Sequence, residues 1–172
     1  MRSQARALGH AVHPMLIVFP LGLLATAVVF DLLYLLTNRQ GFTVAAGYTI
    51  AAGIIGGLLA GVFGLVDWLA IPEGTRARRI GILHGLGNVL VLVLFVASWL
   101  LRMNSGDWTP SAAALTLSFI GVVVSGITGW LGGELVERLG VSVDEDAGLN
   151  ASSSLSRSAA RQSRQRTVPG TR

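Results

Sequence analysis

The sequence has no cysteine and no lysine, and only 13% of its 172 residues are charged. The absence of cysteine excludes disulfide bonds, thiolate metal sites, cysteine-ligated iron–sulfur clusters and thiol catalysis. Soluble domains usually carry about 25% charged residues, so the low charge content argues against a soluble globular protein. The mean hydropathy of +0.63 also indicates a membrane protein.

The positive charge of the chain does not indicate a nucleic-acid-binding protein. Five of the 13 arginines lie in the last sixteen residues, and the others lie mainly at the ends of apolar segments. A nucleic-acid-binding domain combines a basic face with a soluble core, and no segment here does so. We therefore expect no nucleic-acid partner, whereas membrane lipids are expected to contact most of the chain.

Four apolar runs are long enough to cross a bilayer, at residues 15–37, 42–71, 80–101 and 110–136. A membrane helix needs about 20 predominantly apolar residues, and short loops make neighbouring helices antiparallel. The first run continues well past the small residues that resemble a signal-peptide cleavage site at 25–27, so we interpret it as an uncleaved helix. The sequence thus predicts an all-α integral membrane four-helix bundle within residues 1–140.

The distribution of arginine predicts the orientation of this bundle. Arginines precede the first run, lie between the second and third, and recur after the fourth, whereas the opposite side has only Arg39 and Arg102. The positive-inside rule therefore places both termini in the cytoplasm. Residues 141–172 are rich in Ser and Arg, and we expect them to form a disordered tail because they cannot bury a core.

Small residues recur at four-residue spacing in the predicted helices, as at Gly53, Gly57 and Gly61, and again from Gly121 to Gly133. Such spacing lets membrane helices approach closely. The contacts can lie within one bundle or between copies of the chain in a homo-oligomer. Pro20 lies inside the first run and is expected to kink it, because proline removes a backbone donor.

The rare ionisable groups concentrate at the predicted cytoplasmic ends of the helices. These groups are His10, His13, Asp67, His84 and Glu134. Ionisable groups at membrane depth are costly, and they indicate a functional site. Imidazoles and carboxylates without thiolates suit iron, zinc, manganese or copper, so all five residues are candidate metal ligands.

Two of the histidines and one asparagine form a candidate cofactor site. His13 and His84 lie on different helices and can act as the axial ligands of a b-type haem, and Asn88 lies one turn after His84. Each residue also has a structural interpretation: Asp67, for example, can pair with an arginine of the following loop. Asp31, near the outer end of the first helix, is interpreted as a solvated interfacial acid.

Four separate blocks resemble the family called domain of unknown function 2231. They are residues 13–22 (HPMLIVFPLG), residues 64–68 (GLVDW), His84 at the start of the third helix, and residues 129–136 (GWLGGELV). The resemblance spans about residues 8–143 and implies a four-helix protein of the bacterial inner membrane. Similar domains occur joined to Rieske-type iron–sulfur domains, which implies electron transfer, although this chain has no such domain. The family pattern includes His13, Asp67, His84 and Glu134.

The leading functional hypothesis is a redox module that binds haem or a non-haem transition metal and acts with a redox partner protein. The alternative is a non-catalytic scaffold or partner subunit that packs through its small-residue faces. A small transporter is less favoured, because the first three helices have no charge near mid-membrane and no inverted repeat is evident. No reaction follows from the sequence, so whether the protein is an enzyme stays open.

Overall fold

The computed structural model describes residues 1–156, and within them the chain is an all-α bundle of four long helices. A short hairpin of β1 (Arg6–Ala7) and β2 (His10–Ala11) precedes α1 (Val12–Leu16) and α2 (Val18–Thr37). The remaining helices are α3 (Gly41–Leu69), α4 (Arg76–Met103) and α5 (Ala112–Gly133), which ends in a π-helical turn at Glu134–Arg138. The predicted four-helix fold is confirmed.

Four helical segments have the length and composition to span a membrane: Val12–Thr37, Gly41–Leu69, Arg76–Met103 and Ala112–Arg138. Most of their large apolar side chains point outward and are exposed in the isolated protein. Such a surface requires a lipid environment. The side of the membrane on which the termini lie stays a prediction.

Local capping explains where α4 and α5 begin. The side-chain oxygen of Thr75 accepts a hydrogen bond from the Arg78 backbone N–H, and that of Ser111 accepts one from Ala114. These are the N-cap contacts that satisfy otherwise unpaired N–H groups. Arg78 then reaches back to the end of α3. Its Nη1 donates to the carbonyls of the last two helical residues and of one residue just beyond them, and its guanidinium lies 4.2 Å from the centre of the Trp68 ring.

The first membrane segment is interrupted at Ile17, between α1 and α2. This position lies just before Pro20, which has no N–H and whose ring crowds the carbonyl four residues earlier. The interruption therefore has the cause that the sequence predicts. It separates the short helix that carries His13 from the longer helix that carries Asp31.

The helices pack as two antiparallel hairpins, α2 with α3 and α4 with α5, and α3 then packs against α4. Their shared core contains Leu24, Ala27, Val28, Ile50, Val91 and Phe95. Glycines allow the close approach: a Cβ on Gly53 would lie 2.6 Å from Leu24, and one on Gly121 would lie 2.7 Å from Phe95.

Asp31 and Arg102 form a fully buried ion pair at one end of this core, which we call the ion-pair end. Both Asp31 oxygens accept hydrogen bonds from Arg102, each at 2.7 Å, and the Arg102 guanidinium also donates to Ser98 and Ser118. Asp31 and Arg102 are each 0% exposed. The interpretation of Asp31 as a solvated acid is therefore wrong, because the last turn of α4 brings a guanidinium against α2.

The opposite end of the bundle, which we call the histidine end, is covered by the first eleven residues. This N-terminal strap contacts the chain that follows α5. The Met1 amine donates to the Gly140 carbonyl at 2.9 Å, and Arg6 binds the Asp144 carboxylate through two nitrogens at 2.7 and 2.9 Å. The hydrogen bond from Arg6 holds the pKa of Asp144 below its usual value of 3.8.

The first part of the predicted tail contacts the N-terminal strap. Disorder was expected from residue 141, yet Asp144, Asp146 and Ser154 all contact the strap. Acidic side chains of the tail pair with arginines of the strap. These partners are about 140 residues apart in sequence, so the sequence did not indicate the contact. The remainder of the predicted tail, residues 157–172, lies outside the described residues.

Candidate two-histidine centre

His13 comes from α1, which leads into the first hairpin, and His84 comes from α4, the first helix of the second hairpin. The two meet at the histidine end. His13 is the second residue of α1, directly before Pro14, a residue that is favoured in a first helical turn. His84 lies about two turns into α4. The two ring centres are 6.3 Å apart, and the ring planes are nearly perpendicular, at 88°.

The His13 imidazole is fixed on α3. Its Nδ1 lies 2.9 Å from the carbonyl oxygen of Ala60. Because a carbonyl can only accept a hydrogen bond, Nδ1 carries the proton and Nε2 is an unprotonated acceptor in the neutral ring. Gly64, one turn after Ala60, leaves room for the ring, since a Cβ there would lie 2.8 Å from Cε1 of His13.

The His84 imidazole is fixed on α5 in the same way. Its Nδ1 lies 2.8 Å from the carbonyl oxygen of Thr128, so Nε2 is again the unprotonated nitrogen. Gly132, one turn after Thr128, faces the ring, with a Cβ position 3.1 Å from Cε1. Both histidines thus present Nε2, and both rings are oriented by a main-chain carbonyl and a glycine.

Asn88 extends the network around His84 and makes the two histidines unequal. Its amide nitrogen donates to the His84 carbonyl at 2.8 Å and lies 3.2 Å from His84 Nε2. The Thr128 hydroxyl donates to the Asn88 oxygen at 3.2 Å. His13 Nε2 has no such partner within residues 1–156. The structure therefore groups His13, His84 and Asn88, the three predicted cofactor-site residues.

The other predicted ligands lie at the same end but have different partners. His10 is exposed in β2, and its Nε2 lies 3.2 Å from the hydroxyl of Ser154. Glu134 accepts a hydrogen bond from Arg76 at 2.7 Å in a surface ion pair. Each therefore has a structural partner outside the two-histidine centre.

Asp67 is the buried carboxylate of the histidine end, and the N-terminal strap covers it. Its Oδ1 accepts hydrogen bonds from the Ser3 hydroxyl at 2.7 Å and from the Gln4 and Ala5 backbone N–H groups at 2.9 and 3.4 Å. Its Oδ2 is buried and has no hydrogen-bond partner in the part of the chain that the structure describes. Asp67 thus holds the strap on the bundle.

These partners explain why the structure offers no assembled multidentate metal site. Within residues 1–156, no group of three or more His, Cys, Asp or Glu side chains could hold a metal ion. The metal ligand set expected from the sequence is therefore not brought together as a set. Of the five predicted ligands, the structure brings together the imidazoles of His13 and His84.

The supporting residues were not identified from the sequence. Thr128, Gly64 and Gly132 orient or admit the rings, and the carbonyl of Ala60 holds His13. A signal was present, because the five-residue pattern small-Gly-x-apolar-Gly occurs at 60–64 and again at 128–132. The sequence interpretation instead selected the acidic residues that follow these glycines, Asp67 and Glu134.

The whole membrane part of the chain, residues 9–145, matches the model of a family described as "Predicted membrane protein (DUF2231)". The chain belongs to this family. The match includes both histidines of the centre, Asn88, Thr128 and the buried ion pair, and it leaves out most of the strap. Membership in the DUF2231 family agrees with four membrane-spanning helices and carries no stated activity. No curated protein and no solved structure matches the chain.

Proposed function

We propose that this protein is a membrane redox module whose two-histidine centre binds a b-type haem. The observation that carries the proposal is the pair of imidazoles on separate helices, each with Nδ1 fixed on a main-chain carbonyl. Histidines that bind metals commonly donate their other ring N–H to such a group, which leaves Nε2 as the ligand. Haem bound in this way supplies one-electron transfer.

The geometry of the pair supports haem more than a non-haem metal ion. If a haem were bound, His13 and His84 would hold it through their Nε2 atoms, and their ring centres lie 6.3 Å apart. A haem can be held by two protein ligands or fewer, whereas a non-haem ion such as zinc usually has at least three. Asp67 and Glu134 are engaged elsewhere.

Asn88 fits this proposal as a residue that supports His84. Its amide nitrogen contacts both the His84 carbonyl and Nε2. If Nε2 of His84 were to hold a metal, Asn88 would keep its bond to the His84 carbonyl and the bond from the Thr128 hydroxyl. The proposal further places the protein in a bacterial inner membrane, where it exchanges electrons with a partner protein.

The test is an absorption spectrum of the detergent-purified protein, oxidised and then reduced, with metal analysis of the same sample. We expect a Soret band that shifts on reduction, and its loss in His13→Ala and His84→Ala. His10→Ala is the matched control, because His10 lies outside the centre, and it should retain the band. Helical content and gel filtration establish that each variant is folded.

The alternative outcomes are distinct. Stoichiometric metal without a Soret band, lost in His84→Ala, would replace haem by a non-haem ion. A colourless and metal-free protein that has been supplied with haem during expression would reject the redox proposal.

A scaffold or partner subunit is the second candidate, and open glycines on the bundle surface favour it. Nothing lies within 4 Å of a Cβ placed on Gly61, Gly85 or Gly129. Small residues of this kind form helix contacts in membranes, here with a second copy or another protein. Under this function, Gly129→Leu should disrupt an assembly seen by cross-linking in membranes, and His84→Ala should leave that assembly unchanged.

A further inference from the structure

The two hairpins of the bundle carry their polar groups at the same positions. His13 stands at the start of the first hairpin and His84 near the start of the second. Asp31 follows His13 by the same interval as Arg102 follows His84. Each of these pairs meets in space: the histidines at one end of the bundle, and the charges at the other.

The contacts between helices repeat in the same way. A glycine of α3 receives Leu24, and a glycine of α5 receives Phe95. A second glycine on each of these helices receives the histidine ring, and the spacing between the two glycines is identical in α3 and α5. Leu24 and Phe95 also lie at equal intervals after their histidines.

Burial repeats along all four helices. Three buried positions of α2 recur with the same spacing in α4: Leu24, Ala27 and Asp31 correspond to Phe95, Ser98 and Arg102. Five buried positions of α3 recur with the same spacing from α5 into the π-helical turn. The positions of α3 are Ala46, Ile50, Gly53, Ala60 and Asp67, and their counterparts are Ala114, Ser118, Gly121, Thr128 and Leu135.

This pattern has a simple geometric explanation. The helices α2 and α4 both run from the histidine end to the ion-pair end, and α3 and α5 run back. Two like hairpins in the same orientation are related by a pseudo-two-fold axis along the bundle, as in transporters built from parallel repeats. Side chains at equivalent positions near that axis face each other, as both observed pairs do.

We infer that the membrane domain is a tandem repeat of one helical hairpin, and that the Asp31–Arg102 pair makes the two hairpins bind each other and so brings His13 against His84. At the equivalent position, a hairpin that paired with its own kind would place Asp31 against Asp31, or Arg102 against Arg102. Like charges repel strongly in a low-dielectric interior, and such repulsion is a recognised source of pairing specificity.

The inference concerns the same two-histidine centre as the proposed function, but it does not require a cofactor. The pair is bidentate and excluded from solvent. A buried ion pair is weak evidence for stability alone, whereas buried polar groups are known to set the register and partner of packed helices. Asp31 and Arg102 are therefore positioning residues for histidines at the opposite end of the bundle.

The natural absence of cysteine makes a cross-linking test clean. The full-length chain carrying His13→Cys and His84→Cys is treated in membranes with a short bifunctional thiol reagent. With the ion pair intact, we expect cross-links within one chain. The chain carrying His13→Cys alone should give few cross-links between chains, because the first hairpin does not pair with its own kind.

Two pairs of substitutions at Asp31 and Arg102 then test whether the ion pair determines how the hairpins pair. Replacing both charges by Asp31→Leu and Arg102→Met should lower the within-chain cross-link several-fold and raise the chain-to-chain link through His13→Cys by a similar factor. Exchanging the charges by Asp31→Arg and Arg102→Asp should restore the within-chain link, because opposite charges then face each other again across the same two positions.

The outcomes separate this inference from the proposed function. Unchanged within-chain cross-linking in the apolar variant would overturn the role of the ion pair. If the apolar variant does not fold, the exchanged variant decides alone: recovery supports the inference, and failure to cross-link rejects it. Both results are independent of haem, since the cysteines replace the histidines.

Discussion

At the ion-pair end, all three guanidinium nitrogens of Arg102 and both oxygens of Asp31 have protein partners. At the histidine end, His13 Nε2 and Asp67 Oδ2 have no hydrogen-bond partner within residues 1–156. A buried polar atom without a partner, such as Asp67 Oδ2, is uncommon and calls for an explanation. One end thus uses all of these polar groups to hold the bundle together, whereas the other leaves two polar atoms unpaired among the described residues.

The largest effect should come from breaking the ion pair on one side only. Arg102→Leu leaves the Asp31 carboxylate buried without a partner, and we expect the free energy of unfolding to fall by about 3–5 kcal/mol. The measurement is denaturant unfolding in detergent. Arg76→Leu is the matched control, because it breaks the exposed pair with Glu134 and should cost at most about 1 kcal/mol. Similar losses of unfolding free energy in both variants would contradict the expectation that the buried pair stabilises the bundle more than the exposed pair.

An intermediate effect should follow from filling the space beside the rings. Gly64→Ala and Gly132→Ala place a methyl group 2.8 and 3.1 Å from the two histidine Cε1 atoms. Displacing a packed ring typically costs about 1–3 kcal/mol, and under the proposed function the haem content should also fall. Gly61→Ala and Gly129→Ala serve as controls, since their Cβ positions are open. Thermal unfolding that shows no difference between the two sets would contradict the described packing.

The smallest effect concerns the ion pairs of the N-terminal strap. Arg6→Gln removes two hydrogen bonds to Asp144, and because these side chains are partly exposed the loss should be at most about 1 kcal/mol. Exposed pairs are screened by salt, so hydrogen exchange of the strap amides should rise with ionic strength. Arg39→Gln, at the other end of the bundle, is the control and should leave that exchange unchanged.

The same contact has a defined pH dependence. The pKa of Asp144 is lowered from 3.8 by its bond to Arg6, so the contact contributes fully above pH 3.8 and is lost as the pH falls through the lowered pKa. Once corrected for the intrinsic pH dependence of amide exchange, the protection that this contact gives the strap amides should therefore be constant from pH 8 to 5. Release of the strap near neutral pH that Arg6→Gln abolishes would contradict the lowered pKa of Asp144, because this contact would then titrate near neutrality.

The four helices could be predicted because a span of about 20 apolar residues has few alternatives. The meeting of His13 and His84 followed from antiparallel neighbours and similar depth. The partner of Asp31 could not be predicted in this way. Arg102 was used only to assign the outer side of the membrane. The sequence indicates how deep each charged residue lies in the membrane, but not whether the helix faces that carry Asp31 and Arg102 point toward each other.

The sequence assigned Asp67 and Glu134 to a metal site, and their partners in the fold could not be predicted for a related reason. Both lie at the predicted end, but the strap binds Asp67 and Arg76 binds Glu134. Contacts between residues that are distant in sequence, such as Ser3 and Asp67, depend on tertiary folding and have no periodic signature. The repeat of the two hairpins is readable in the sequence only after the buried positions are known.

The buried ion pair also determines how the molecule should respond to heat. The free-energy cost of removing charged groups from water falls as temperature rises. The stabilisation from the buried Asp31–Arg102 contact should therefore decrease less on warming than that from exposed ion pairs. Proteins open locally where their contacts are weakest. On gradual heating, the strap and the histidine end should therefore separate first, while the helices stay joined at Asp31 and Arg102.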